Sequence, residues 1–132
     1  MAVESDKNTS PDSIAPDGSE VRRLQRTERG SLAQFRLKSG QVSTAVVHKT
    51  VEEIWYVLAG EGELWLGDDI EEQVIALQPG VSAVIRTGTH FQFRNAGDTD
   101  LDILGITMPP WPEKRPEEAE AQPVDGRWQP TF

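Results

Sequence analysis

The chain holds two histidines, His48 and His90, and no cysteine. Thiolate nucleophiles, disulfides and Cys-ligated zinc or iron–sulfur sites are therefore excluded, and acid–base or metal chemistry falls to imidazole and carboxylate groups. His48 lies just ahead of Glu53 in the stretch VVHKTVEEIWYVLAGEGELWLG, residues 46–67. An imidazole and a carboxylate held together form a proton-transfer pair, one group accepting while the other donates. The same two groups are also donors suited to Zn, Mn, Fe or Ni. A glutamate drawn into an apolar pocket holds its proton more tightly unless a cation compensates. Protonated His48 and Arg36 are the available compensators. No nucleophile elbow is present, so covalent catalysis through a Ser-His-Asp arrangement is not expected.

Such a pair must be carried by rigid elements, and from Glu20 onward the chain supplies them as short runs alternating apolar and polar residues. Turn formers such as Arg29-Gly30, Ser39-Gly40, Ala59-Gly60, Pro79-Gly80 and Thr87-Gly88 separate the runs. This spacing predicts strands over Val21–Thr27, Ser31–Leu37, Val42–His48, Glu53–Leu58, Gly62–Leu66, Gln73–Leu77, Ser82–Ile85, Phe91–Asn95 and Leu101–Thr107. The expected class is all-β, a sandwich or barrel. Period-2 alternation puts Val46 and His48 on one face of their strand, Glu53, Trp55 and Val57 on one face of theirs, and Phe91, Phe93 and Asn95 on one face of a third. Trp55, Phe91 and Phe93 are thereby candidates for an aromatic cavity wall. Gly60-Glu61-Gly62 reads as a hairpin turn, because position 65 is Trp and no helix follows.

The ends differ from the middle. Residues 1–19 are rich in Ser, Asp, Pro and Asn and offer almost nothing to bury, so a disordered arm is expected. After Met108 the chain is dense in Pro and Glu, which excludes long regular elements. Its Trp111, Trp128 and Phe132 are nonetheless large apolar side chains, each stabilising by about 1.5–3 kcal/mol if buried. The expectation is a tail, residues 109–132, that wraps over the barrel or a partner subunit, with a loose middle over Glu113–Gln122. The acidic run Glu117, Glu118 and Glu120 reads as a solvated face.

At 132 residues the chain suits one domain, and its net charge of −9 disfavours nucleic acid and anionic membranes as partners. The first twenty residues lack a basic start and an apolar core, so they do not read as a secretory signal. No apolar run approaches the roughly 18 residues of a membrane span. A cytoplasmic location is expected.

The residues in 40–95 resemble the cupin superfamily, whose fold is a jelly-roll β-barrel. Glu53 and Gly60 match the second half of its first motif, and Gly80, Gly88 and Asn95 match positions of its second. Metal-binding cupins place two histidines and a glutamate in the first motif and one histidine in the second. On that pattern His48 stands at the second histidine, Val46 at the first, and Phe91 at the fourth-ligand position. His90 falls one residue early, which turns it to the opposite face unless a bulge re-aims it.

The resemblance therefore implies a cupin barrel over residues 20–108 with an incomplete metal site. No metal is expected; the alternative is a weakly bound Zn, Mn, Fe or Ni held by His48, Glu53 and His90. The expected function is binding of a small organic molecule inside the barrel, with Arg36, Val46, Trp55, Phe91 and Phe93 as ligand-contacting residues. One alternative is an enzyme of isomerase, cyclase, lyase or dioxygenase type using His48 and Glu53 as catalytic groups. Another is a non-catalytic dimeric module, since a homodimer is expected on any of these readings.

Overall fold

Strands that alternate apolar and polar residues bury one face only by packing against a second sheet. The computed structural model describes residues 10–112 and 120–132, and over these the chain forms two antiparallel sheets. Its elements are β1 (Ser13–Ile14), β2 (Glu20–Arg26), β3 (Ser31–Leu37), β4 (Val46–His48), β5 (Glu52–Ala59), β6 (Gly62–Gly67), β7 (Glu72–Leu77), β8 (Ser82–Ile85), β9 (His90–Asn95), β10 (Leu101–Met108) and β11 (Ala121–Pro123). The six-stranded sheet has the order β1-β2-β3-β10-β5-β8, and the five-stranded sheet the order β11-β4-β9-β6-β7. Leu37, Trp55, Val57, Ile85 and Ile103 from the first meet Val46, Leu64, Leu77, Phe91 and Phe93 from the second in one buried core. This is the expected all-β jelly roll.

Every expected strand is present, and only β4 is markedly shorter than its alternation suggested. Over residues 42–45 the backbone still follows β9, but the Ser43 hydroxyl accepts the Phe93 N–H at 3.0 Å and the Thr44 N–H donates to the Asp17 carbonyl. Side-chain and loop partners there replace the ladder, leaving Val42 a single bridge to Arg94. The β5–β6 hairpin turns at Gly60, whose φ is +88°, and a Cβ there would sit 2.8 Å from Leu101 Cα. Glycine is required at that corner on both counts.

The ends were expected to be a disordered arm over residues 1–19 and a tail, residues 109–132, that wraps over the barrel or a partner subunit with a loose middle over Glu113–Gln122. Residues 1–9 and 113–119 lie outside the described residues. From residue 10 the arm is placed: β1 pairs with β2, and Ala15–Ser19 forms a tight turn closed by Ala15 N–H to Ser19 O at 2.8 Å and Gly18 N–H to Ala15 O at 2.9 Å. Asp17 and Ser19 are buried in it. Of the expected loose middle of the tail, Glu120 is fully buried and Ala121–Pro123 pairs with β4. The remainder crosses the outer face of the five-stranded sheet. There Gln92 receives the Trp128 N–H at 2.9 Å and donates to the Trp128 carbonyl at 2.8 Å, mimicking a strand partner. Arg94 lies 4.2 Å over the Trp128 ring. The opposite outer face, on β8, β5 and β10, leaves Ile54, Tyr56, Val84 and Ile106 exposed.

Candidate functional site

His48 ends β4 in one sheet and Glu53 is the second residue of β5 in the other, so the loop at residues 49–51 turns the corner between the sheets. Glu120 holds that corner. Its Oε1 accepts the N–H groups of Thr50 at 2.9 Å and Val51 at 2.8 Å, and its carboxylate also receives the Thr50 hydroxyl. His48 and Glu53 consequently face each other at one end of the barrel, with Nδ1 and Oε2 3.5 Å apart.

They line a cavity of about 260 Å³ together with Val46, Trp55 and Phe91. The His48 ring meets Phe91 edge-on at 5.0 Å and Trp111 at 5.4 Å, and Trp55 meets Phe91 at 5.9 Å. Gly105 on β10 leaves the space in which the Phe35 ring lies, since a Cβ there would collide with that ring. Ser31 and Thr107, facing each other across β3 and β10, share a short hydroxyl–hydroxyl bond, and Ser31 also accepts the Trp111 N–H at 2.9 Å.

Electrostatically this end of the barrel is unusual. Burial pushes the Glu53 carboxyl up to about 8, with Asp17 adding repulsion and the Trp55 indole N–H opposing part of the rise. Burial likewise pushes His48 down to about 4, and the negative charge of Glu120 recovers only some of the loss. Asp17 is raised by burial despite accepting the Ser19 N–H and hydroxyl at 3.0 and 2.7 Å. At neutral pH the pair is thus a neutral imidazole beside a protonated carboxyl, a proton acceptor next to a donor. Two buried polar atoms here, His48 Nδ1 and Trp55 Nε1, have no hydrogen-bond partner among the described residues; the Trp55 N–H influences Glu53 without reaching bonding geometry.

Five of the expected positions, Val46, His48, Glu53, Trp55 and Phe91, line the cavity, whereas Arg36, Phe93 and His90 do not. Arg36 does not reach the cavity. Ser31, Ala33 and Phe35 occupy the inner face of β3, so Arg36 projects outward and binds Asp102 through Nε at 2.7 Å. It compensates Asp102, not Glu53. Phe93 lies deeper than the cavity, fully buried beneath Trp55 at 5.0 Å between ring centres, and belongs to the core. His90 sits opposite Val47 in the β4–β9 ladder without a bulge. It therefore points outward, to a shallow groove with Asp69, Pro123, Val124 and Asp125.

Of the donors that the cupin pattern would supply, the structure brings together His48 and Glu53. Tight sites gather three or four protein ligands, whereas Val46 and Phe91 put hydrocarbon at two of the positions and His90 is on the wrong face. Among the described residues no three His, Asp or Glu side chains are grouped to hold an ion.

Three contributors come from segments without strand periodicity: Asp17, Trp111 and Glu120. Asp17 was signalled only by the turn-forming sequence Pro16-Asp17-Gly18-Ser19. Trp111 was marked as buriable, though not as part of a site. Glu120, read as solvated, is buried where it accepts the backbone N–H groups of Thr50 and Val51 at the sheet corner; Glu117 and Glu118 lie outside the described residues.

The model of the cupin domain family matches residues 33–107, more than half of the chain. The chain belongs to the cupin family. An uncharacterised protein, MJ1618, of Methanocaldococcus jannaschii is 30% identical over 112 residues, spanning 81% of this chain and 86% of the relative. Among solved structures, a predicted oxalate decarboxylase of Thermotoga maritima aligns with a TM-score of 0.68 at 20% identity, covering 82% of this cupin and 99% of that chain. KdgF from Halomonas aligns with a TM-score of 0.66 at 19% identity, covering 83% and 94%. At these identities the structural likeness establishes the fold. No helix among the described residues is long and apolar enough to cross a membrane.

Proposed function

We propose that this cupin binds a small organic molecule in the cavity between its sheets, without a four-ligand metal centre. The observation that supports this most directly is the pair of unpartnered polar atoms, His48 Nδ1 and Trp55 Nε1, in an otherwise apolar and aromatic wall. Leaving a buried polar atom unpaired costs about 1–3 kcal/mol, so a ligand that bonds one or both gains affinity by relieving that cost. The ligand has an apolar or aromatic body and one polar head, since ligand sites combine apolar walls with a few convergent polar groups. Such binding is set in the cytoplasm on this reading. A fragment screen by thermal shift, followed by titration of His48→Ala, tests it. Fragments that bind the wild type should lose roughly tenfold in affinity in the variant. Binders indifferent to the change would remove His48 from the site.

A second reading, an isomerase- or cyclase-like proton-transfer enzyme, is favoured by the opposed protonation states of His48 and Glu53. The imidazole takes a proton from the substrate while the Glu53 carboxyl gives one to a different position. The resulting imidazolium returns its proton to the carboxylate across the 3.5 Å gap, and the pair is reset with no net change in protons.

The exposed apolar stripe is proposed to receive a second copy of the chain. Ile54 neighbours both Val84 and Ile106 across the ladders, forming one patch instead of scattered residues. Sedimentation should report a dimer for the wild type and a monomer for Ile54→Lys with an unchanged unfolding transition. A monomeric wild type removes the dimer.

A further inference from the structure

We propose that the cavity selects an organic ammonium ion, its cationic head between the Asp17 and Glu53 carboxyls and its body against the aromatic wall. This rests on the ligand-binding reading above and names the head group. Asp17 and Glu53 come from opposite ends of the first half of the chain, yet both line the same cavity and are 8% and 3% exposed. Asp17 Oδ1 is occupied by Ser19, while Oδ2 accepts no hydrogen bond among the described residues. Phe35, Trp55, Phe91 and Trp111 supply four rings around them. Aromatic faces attract cations through their quadrupole, most strongly where water is excluded.

The cationic side chains nearby are directed elsewhere. Arg36 binds Asp102 at 2.7 Å, and Arg22 binds Glu20 at 3.2 Å. Arg23 and Arg26 also line the cavity, with guanidinium contacts to Ser13 Oγ at 3.2 Å and the Trp111 carbonyl at 2.6 Å, and neither figures among the charges acting on Asp17 or Glu53. His48, depressed by burial, adds a neutral ring, and Glu120 behind it adds further negative charge. Burying two carboxyls without a cation strengthens their hold on protons, the direction of the shift for both Asp17 and Glu53. An ammonium ion replaces those protons. An anion would meet two carboxyls, and a neutral ligand would forgo both the charge pairing and the cation–π attraction. Trp55, which lines the same cavity, has a buried N–H without a hydrogen-bond partner among the described residues, a further sign that a ligand completes the site.

Benzylamine, cationic at neutral pH, and benzyl alcohol, its neutral counterpart of the same shape, separate these cases. Both are titrated into the full chain by tryptophan quenching and by calorimetry in two buffers of different ionisation heat. The amine should bind at least about tenfold more tightly than the alcohol and release protons on binding. Its affinity should rise with pH until Glu53 ionises unaided near 8. Asp17→Asn and Glu53→Gln should each weaken the amine about tenfold more than the alcohol. The proposal is overturned if the alcohol binds as tightly as the amine, or if neither variant alters their ratio. Alcohol binding that depends on His48, without preference for the amine, overturns the ammonium proposal alone and leaves the ligand-binding reading standing. Failure of both probes to bind overturns both.

Discussion

Replacing Glu120 by alanine should lower the unfolding free energy by about 3–5 kcal/mol, because it strips a buried carboxylate from two backbone donors and a hydroxyl at once. The Thr50 and Val51 N–H groups both donate to Oε1 at the corner between β4 and β5. A hydrogen bond to a charged acceptor contributes about 1.5–3 kcal/mol, and a buried donor left unpaired adds a penalty. Glu120→Gln isolates the cause. Its remaining Oε1 still accepts both backbone N–H groups, so the loss should fall to about 1–2 kcal/mol. Urea unfolding of the two variants measures both values. A loss below about 1 kcal/mol in Glu120→Ala would show that water replaces the carboxylate without cost. The same loop sets the separation of His48 and Glu53, so the alanine variant should also lose ligand affinity.

The second large effect is a decline in stability of about 2 kcal/mol between about pH 6.5 and 8, abolished by Glu53→Gln. Glu53 titrates at the usual 4.5 when unfolded and at about 8 when folded. Between these values only the folded state holds the proton, so its contribution is complete below 4.5 and lost as pH rises to 8. His48 runs the other way. Unfolded it titrates at 6.5 and folded at about 4, so its contribution is complete above 6.5 and lost as pH falls. From 4.5 to 6.5 the two slopes offset one another. Above 6.5 only the Glu53 loss continues. Denaturation midpoints across this range, compared with Glu53→Gln, give the slope directly. Asp17, raised in the same direction, supplies any decline that persists in Glu53→Gln, and Asp17→Asn should remove it. A wild-type profile flat from 6.5 to 8 would mean that Glu53 is ionised in the folded protein.

Both effects involve groups whose roles differ in how visible they were beforehand. Glu53 could be found because it sits at a fixed place in a strand whose alternation puts it beside Trp55 and Val57. His90 could be set aside by parity, since one step along a strand exchanges its faces, and the regular β4–β9 register leaves it outward. Arg36 shows where parity runs out. Alternation separates Phe35 from Arg36, but Asp102, far along the chain in β10, determines that the arginine is the outward one. Phe93 shares the inner face with Phe91, yet its greater depth places it in the core, because depth depends on what the facing sheet stacks above it.

What the sequence determined by itself was the local pattern: strand positions, hairpin turns, inward faces, and the placement of His48 and Glu53 on either side of one short loop. These follow from interactions between residues close in the chain. Only the tertiary structure decided that Asp17, Trp111 and Glu120 complete that end of the barrel. Their segments carry no periodicity; Asp17 and Glu120 are buried and Trp111 half-buried, and all three meet parts of the chain tens of residues away. The proton affinities were decided there too, since the removal of water that opposes both charges requires the closed packing of two sheets and both chain ends.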